Sequence, residues 1–310
     1  MNSSDTVINK EPDGHYYWLD LIRFLAAFAV MACHFRGAFF VEYSALSFQQ
    51  QNPIVLAFYF ITRLGFEAVL VFFVLSGFLV GGRAIQRISS GTFKVKSFVV
   101  DRAVRIMLPL VASLILFLTI SLYFHLPINI SDWIGSLLSL QGIITGGAFD
   151  TLWSLSYEVW FYILTCGICI MITKRQLKTS VKYNVGILLT ILALLVFTKL
   201  NTAYLFTWII GACAVGRLPQ KNNFIMFCTA FLSLTVIIML QLGSGSHFMP
   251  KGFLSGDIYK NVLSVLFGLI FTIFLQQVIQ SPGGNISLFI NKIGSKAAAF
   301  SYTLYLTHIP

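Results

Sequence analysis

Nine apolar segments divide this chain of 310 residues, and most of them are long enough to cross a lipid bilayer as an α-helix. With 57% hydrophobic and only 10% charged residues, the chain has more apolar surface than a soluble core of this size requires. The sequence therefore predicts an all-α fold, a polytopic transmembrane helix bundle. The predicted spans cover about residues 17–40, 64–82, 105–124, 152–173, 183–198, 202–217, 223–243, 258–280 and 297–310.

The segments between the spans are short, and the chain contains no internal repeat, so residues 1–310 are predicted to form a single membrane domain. Two longer connections, residues 43–63 and 126–150, are apolar enough to contain helices at the membrane surface. The last span supplies only about 21 Å of helix against a hydrocarbon core of about 30 Å. We therefore expect the native protein to continue beyond Pro310, with ten spans in its complete form.

The basic residues predict how the chain is oriented in the membrane. Of the 21 Lys and Arg residues, fifteen lie in connections on the side of the N-terminus, and three lie on the opposite side. Because positively charged loops stay in the cytoplasm, we expect a cytoplasmic N-terminus. These loops also explain the net charge of +10, so no nucleic-acid partner is expected.

The five cysteines all fall inside apolar segments. Cys166 and Cys169 are separated by two residues. We interpret them as small packing residues rather than as a redox or metal pair. We therefore expect neither a metal site nor a permanently bound cofactor.

The first apolar segment carries ionisable residues at bilayer depth, where a charge is costly unless it has a function. At about 100° per residue, Asp20, Arg23 and His34 share one helix stripe with Ala27 and Val30. This stripe is predicted to face the interior of the bundle as the wall of a site. Because Asp20 and His34 lie about 21 Å apart along the helix, a carboxylate partner for His34 must come from another helix.

The candidate partner of His34 is Glu158, near the start of the fourth predicted span. Counted from the same membrane surface, both residues lie about 9 Å deep, which permits a pair. A neutral imidazole held by a carboxylate can take a proton from a hydroxyl group. The alternative for both residues is a structural hydrogen bond between helices.

Arg102 and Arg105 lie one helical turn apart at the predicted entrance of the third span. Two guanidinium groups on one helix face make a bidentate clamp for phosphates. The alternative is that they only contribute to the positive charge of a cytoplasmic loop. An enzyme that uses a phosphorylated cytosolic donor would need such a clamp.

Two other segments place polar residues within apolar helices. Ser76 and Gly77, in FFVLSGFL, permit a close helix approach or a small kink, and a nucleophilic serine is an open alternative. The last span, SYTLYLTH, carries Tyr302 and His308 and suggests a lined cavity, although a structural hydrogen bond explains His308 equally well.

Taken in order, five motifs resemble the membrane acyltransferase-3 family, whose members are O-acyltransferases of bacterial surface glycans. The motifs are DxxRxxAxxxVxxxH from Asp20, FFVLSGFL from Phe72, RxxRI from Arg102, WSLSYEVWFY from Trp153 and SYTLYLTH from Ser301. The resemblance implies a multi-pass enzyme of the bacterial cytoplasmic (inner) membrane. It would transfer an acyl group, most simply acetyl, from cytosolic acyl-CoA to a hydroxyl of a sugar or polysaccharide acceptor.

The resemblance also implies roles for individual residues. His34 matches the catalytic histidine, as a general base or transient acyl carrier, and Glu158 matches the acidic residue of the tryptophan-glutamate motif. Arg102 and Arg105 match the arginines that hold the diphosphate of acyl-CoA, and Arg23 matches the first-helix arginine, also on the donor side. The residues expected to support them are Asp20, Ser76, Trp153, Ser154, Tyr302 and His308.

The chain departs from the family pattern at Leu70, where many members carry an acidic residue. We also expect a stand-alone membrane member, without an appended hydrolase-like domain. A rival interpretation is a transporter or exporter of a glycan or metabolite, because buried charged residues also line translocation paths. No inverted repeat supports this interpretation. A third interpretation is that the chain is an inactive, truncated relative of the acyltransferases.

Overall fold

The computed structural model describes residues 17–143, 152–173, 181–215, 219–243 and 256–280. Within these ranges the regular structure is helical, with no β-strand. A π-helical turn at Gly77–Gly82 joins α3 to α4, and a short 3₁₀ turn occupies Tyr43–Ala45. The α-helices are α1 (Tyr17–Phe39), α2 (Pro53–Thr62), α3 (Gly65–Ser76), α4 (Arg83–Ser89), α5 (Val95–Tyr123), α6 (Ile130–Leu137), α7 (Trp153–Thr173), α8 (Val181–Phe197), α9 (Thr202–Cys213), α10 (Asn223–Gly243) and α11 (Gly256–Ile279).

Six helical stretches among the described residues are long and apolar enough to cross a membrane, and α8 and α9 are shorter apolar helices. Together they correspond to eight of the nine predicted segments, which confirms the all-helical membrane fold. The ninth segment, residues 297–310, lies outside the described residues, so the number of spans stays a prediction. The helices expected in the two long connections are present as α2 and α6.

Helix α5 begins at Val95, about three turns before the predicted third span. Arg102 and Arg105 therefore lie within this helix, at the point where the predicted apolar span begins. Hydropathy marks only the apolar part of a helix, whereas the helix itself can extend into water or into a polar site. The earlier start places both arginines against neighbouring helices.

The predicted inner stripe of α1 is confirmed by burial. Ala27 and Val30 are 0% and 3% exposed, and Asp20 is 7% exposed. On the opposite face, Leu25 and Phe28 are about half exposed, as expected for side chains that contact lipid. The ionisable residues of α1 consequently face the other helices.

Glycines allow α3 and the π-helical turn to touch α9. A Cβ atom at Gly77 would lie 2.1 Å from the carbonyl oxygen of Trp208, and one at Gly211 would lie 2.4 Å from that of Val74. Both distances are far below van der Waals contact, so only glycine fits. The close helix approach predicted from Ser76 and Gly77 is therefore confirmed.

We expect Gly77→Ala to remove most of the folded protein, because the added methyl group meets a backbone carbonyl that moves only if α9 moves. Overpacking of this kind costs about 1–3 kcal/mol or more. Gly37→Ala is the matched control in another helix, since nothing lies within 4 Å of a Cβ atom there. The measurement is the monodisperse peak of each full-length variant in detergent size-exclusion chromatography. Equal peaks for the two variants would contradict the expectation.

Candidate active site

Three arginines and one carboxylate line a cavity between α1, α3, α5 and α7. We call it the arginine cavity, and its volume including the open mouth is about 690 Å³. Three guanidinium groups against one carboxylate leave an excess of positive charge within mostly apolar walls, which favours an anionic ligand. The described residues that line it are Arg23, Phe72, Phe73, Leu75, Ser76, Leu79, Val80, Arg102, Arg105, Ser154, Glu158 and Tyr162.

Aromatic rings hold the guanidinium group of Arg102. Its Cζ atom lies 5.5 Å from the ring centroid of Tyr162 and 5.9 Å from that of Phe98. Such contacts fix the plane of the group without using its N–H donors. In the part of the chain that the structure describes, the buried Nε of Arg102 has no hydrogen-bond partner. Arg102 is therefore oriented while donor capacity stays available for a ligand.

Arg23 reaches the same cavity from α1 and forms an ion pair with Asp20. The Nη1 atom of Arg23 lies 3.3 Å from Oδ1 of Asp20, one turn earlier in the helix. Arg23 also interacts electrostatically with Arg105 and Glu158 across the cavity. Two of the residues predicted for the donor side, Arg23 and Arg105, are thus brought together from different helices.

Glu158 extends from α7 into the arginine cavity. Its Oε1 atom accepts a hydrogen bond from the hydroxyl of Tyr162, one turn later on the same helix face. Ser154, one turn earlier, lines the same cavity. This face of α7 therefore supplies the carboxylate among the described residues that line the arginine cavity.

His34 lines a second cavity, which we call the histidine cavity, of about 900 Å³ including its open mouth. It lies between α1, α3, α7, α9 and α11. Its ionisable lining includes His34 and Lys260, and no carboxylate is present among the described lining residues. Those residues are Val30, Cys33, His34, Gly65, Phe66, Val69, Trp153, Tyr204 and Lys260.

The structure places His34 and Glu158 in different cavities, so the predicted pair between them is wrong. The reason is the rotation of α7: Trp153 and Glu158 are five residues apart and point about 140° away from each other. Trp153 faces the histidine cavity, while Glu158 faces the arginines. Matching depth permits a pair, but depth does not determine which helix face meets a neighbour.

An aromatic layer lies between the two cavities. Phe73 lines the arginine cavity, and its ring centroid lies 6.2 Å from Trp153 and 5.6 Å from Tyr204, which both line the histidine cavity. Along α1 the cavities are marked by Arg23 and His34, about 16 Å apart. The cavities are therefore stacked along α1 and α3, separated by one layer of rings.

Ser76 also lines the arginine cavity, where its Oγ accepts a hydrogen bond of 3.3 Å from Nε1 of Trp208. This contact ties α3 to α9 and is consistent with the packing interpretation of the serine. Tyr302 and His308 lie outside the described residues, and their predicted roles stay predictions.

Sequence reasoning missed three residues of these surroundings. Tyr162 could have been found from its i+4 position relative to Glu158, while Lys260 is one of the three basic residues predicted to lie on the side opposite the N-terminus. Glu67 is 3% exposed and accepts a 3.0 Å hydrogen bond from Nε2 of Gln241, whereas Leu70, one turn later, is completely buried in the core. The buried acidic residue of α3 is therefore Glu67, three residues before Leu70, the position at which the family pattern has one.

A comparison with protein-family models gives a match to a family described as an acyltransferase domain. The match covers residues 16–310 and so includes all the helices that form the two cavities. No curated protein and no solved structure matches the chain.

Proposed function

The chain belongs to the acyltransferase-3 family, and on this premise we propose that it transfers an acyl group, most simply acetyl, from acyl-CoA to a sugar hydroxyl. The observation that carries the proposal is the pair of stacked cavities, one suited to phosphates and one holding an imidazole. The acceptor is a surface or exported polysaccharide. The protein lies in the bacterial inner membrane, with its N-terminus and the arginine cavity on the cytoplasmic side.

Acyl-CoA binds as a co-substrate in the arginine cavity. Its diphosphate carries negative charge that Arg102 and Arg105 match from one face of α5, with Arg23 opposite them on α1. The long, flexible arm of the donor then extends past the aromatic layer toward the histidine cavity. Glu158 and Tyr162 position the arginines in this arrangement. This role of Glu158 replaces the expected one as the partner of His34.

His34 acts on the acceptor hydroxyl. As a general base, it takes the hydroxyl proton while the oxygen attacks the thioester carbonyl. The new C–O bond forms, the C–S bond breaks, and the CoA thiolate leaves and receives the proton. As an acyl carrier, His34 instead attacks the thioester carbonyl and the CoA thiolate leaves; the acyl group then passes from the imidazole to the acceptor hydroxyl, whose proton the thiolate takes up. Both routes require an unprotonated imidazole.

The test uses membranes that contain the full-length protein together with acetyl-CoA labelled in its acetyl group. We expect the label to appear covalently on sugar material, in an ester that mild alkali removes. Membranes from the same host without the protein provide the control. Uptake or efflux of glycan without covalent label would instead support a carrier and overturn the proposal.

We expect Tyr162→Phe to raise the KM for acetyl-CoA about 10- to 100-fold, because a hydrogen bond to a charged group contributes about 1.5–3 kcal/mol. Without it, Glu158 is free to pair with the guanidinium groups and to occupy donors needed by the diphosphate. Tyr123→Phe is the matched control, since Tyr123 is 77% exposed at the end of α5. Initial rates at varied acetyl-CoA measure the effect, and an unchanged KM would show that Tyr162 does not position the donor site.

A further inference from the structure

Lys260 is a cationic residue in the lining of the histidine cavity, where a sugar acceptor could meet it together with His34. It enters from the first turns of α11 and lines the cavity with Phe66, Trp153 and Tyr204. Its Nζ atom lies 4.0 Å from the ring centroid of Phe66. This cation–π contact holds the ammonium group in place at the cavity wall without itself using the N–H donors.

Two carboxylates among the described residues, Glu67 and Asp257, do not neutralise Lys260 by direct contact. Glu67 interacts with it electrostatically, but Glu67 is itself buried and bound by Gln241. Asp257, one turn earlier in α11, is exposed. Within the described ranges, no carboxylate oxygen lies within 4.0 Å of Nζ of Lys260. A half-buried ammonium group without an ion pair is costly, so its presence in the cavity favours an anionic ligand.

The same cavity offers aromatic surface for a sugar ring. Tyr204 lies between two other rings, with centroid distances of 6.0 Å to Phe66 and 5.6 Å to Trp153. Rings of this kind present apolar faces that pack against the C–H faces of a sugar, while a few polar groups fix its orientation. In this cavity, the polar groups for that purpose include Lys260 and His34.

We propose that Lys260 binds an anionic group of the acceptor, a carboxylate or a phosphate, and that the acceptor is therefore an acidic sugar. The proposal rests on the proposed acyltransferase function and adds the substrate class. The anion on Lys260 and the sugar ring on the aromatic surface together orient a hydroxyl toward His34. Lys260 is thus a specificity-determining residue rather than a participant in proton transfer.

The experiment measures competition against label transfer from acetyl-CoA to the endogenous glycan, in membranes with the full-length protein. Three soluble sugars with the same ring serve as competitors: methyl glucoside, methyl glucuronide and methyl glucoside 6-phosphate. We expect at least one anionic sugar to inhibit at about tenfold lower concentration than the neutral one, as one charge-assisted contact provides. The stronger of the two anionic sugars identifies carboxylate or phosphate as the group that binds.

Three variants assign the effect to Lys260. Lys260→Gln is expected to abolish the preference for anionic sugars, and Lys260→Arg to retain it. Lys199→Gln, which removes an exposed lysine from the connection between α8 and α9, should leave the preference unchanged. The KM for acetyl-CoA should stay within about twofold in all three, because the donor binds in the other cavity.

Equal inhibition by all three sugars in the wild-type protein would overturn the acidic-acceptor proposal while leaving the acyltransferase function intact. A preference that survives in Lys260→Gln would overturn the role of this lysine, as would a KM for acetyl-CoA that rises in parallel. Absence of any label transfer by the wild-type protein would instead overturn the proposed function on which this inference rests.

Discussion

Replacing Arg102 and Arg105 together by alanine is expected to raise the KM for acetyl-CoA by about 10²- to 10⁴-fold. Each guanidinium group would lose a charge-assisted contact to the diphosphate, and such contacts contribute about 1.5–3 kcal/mol apiece. Either single substitution should have an effect of about 10- to 100-fold. The measurement is the initial rate of label transfer at varied acetyl-CoA, in membranes matched for the amount of protein.

Two further variants make the result specific. Arg87→Ala removes a basic residue that is exposed at the end of α4, and it should leave the KM unchanged. The double Lys variant of Arg102 and Arg105 keeps the charge but loses the planar, bidentate geometry, so it should recover only part of the affinity. If the double Ala variant bound acetyl-CoA as well as the wild type, the arginine cavity would not be the donor site.

The second large effect is expected at His34. His34→Asn should lower the rate of acyl transfer by about 10²- to 10⁴-fold, the usual contribution of a positioned acid or base. Donor binding should be preserved, because the histidine cavity is separate from the arginine cavity. Stabilisation of the purified variant by CoA against thermal unfolding measures this retained binding.

His125→Asn is the matched control, because His125 is exposed after α5 and its positive φ of 53° is one that asparagine tolerates. Transfer by His34→Asn at the wild-type rate would remove His34 from the mechanism. Incubation of the wild type with labelled acetyl-CoA but without acceptor then separates the two routes. Label that stays on the wild-type protein and not on His34→Asn identifies an acyl carrier, whereas no label on either identifies a general base.

Local patterns in the sequence were sufficient for the membrane-helical fold. Apolar segments form helices because a bilayer leaves no other way to satisfy the backbone hydrogen bonds of a single span. The stripe of α1 from Asp20 to His34 faces inward because charged groups avoid lipid, and this requires only the helical period. Gly77 marks a close helix contact because a residue without a Cβ atom permits one. Each of these properties follows from a short stretch of chain.

The tertiary structure decided which of these residues meet. From sequence, Glu158 could be placed at the depth of His34, but packing of α7 turns it toward Arg23 and the arginines of α5. From sequence, Lys260 is only a basic residue near the end of an apolar segment. The packing of α11 beside α3 brings it to Phe66. The depth of a residue along a helix can be counted directly from the sequence. The rotation of each helix about its axis depends on contacts with several distant segments at once, and only the packed bundle determines it.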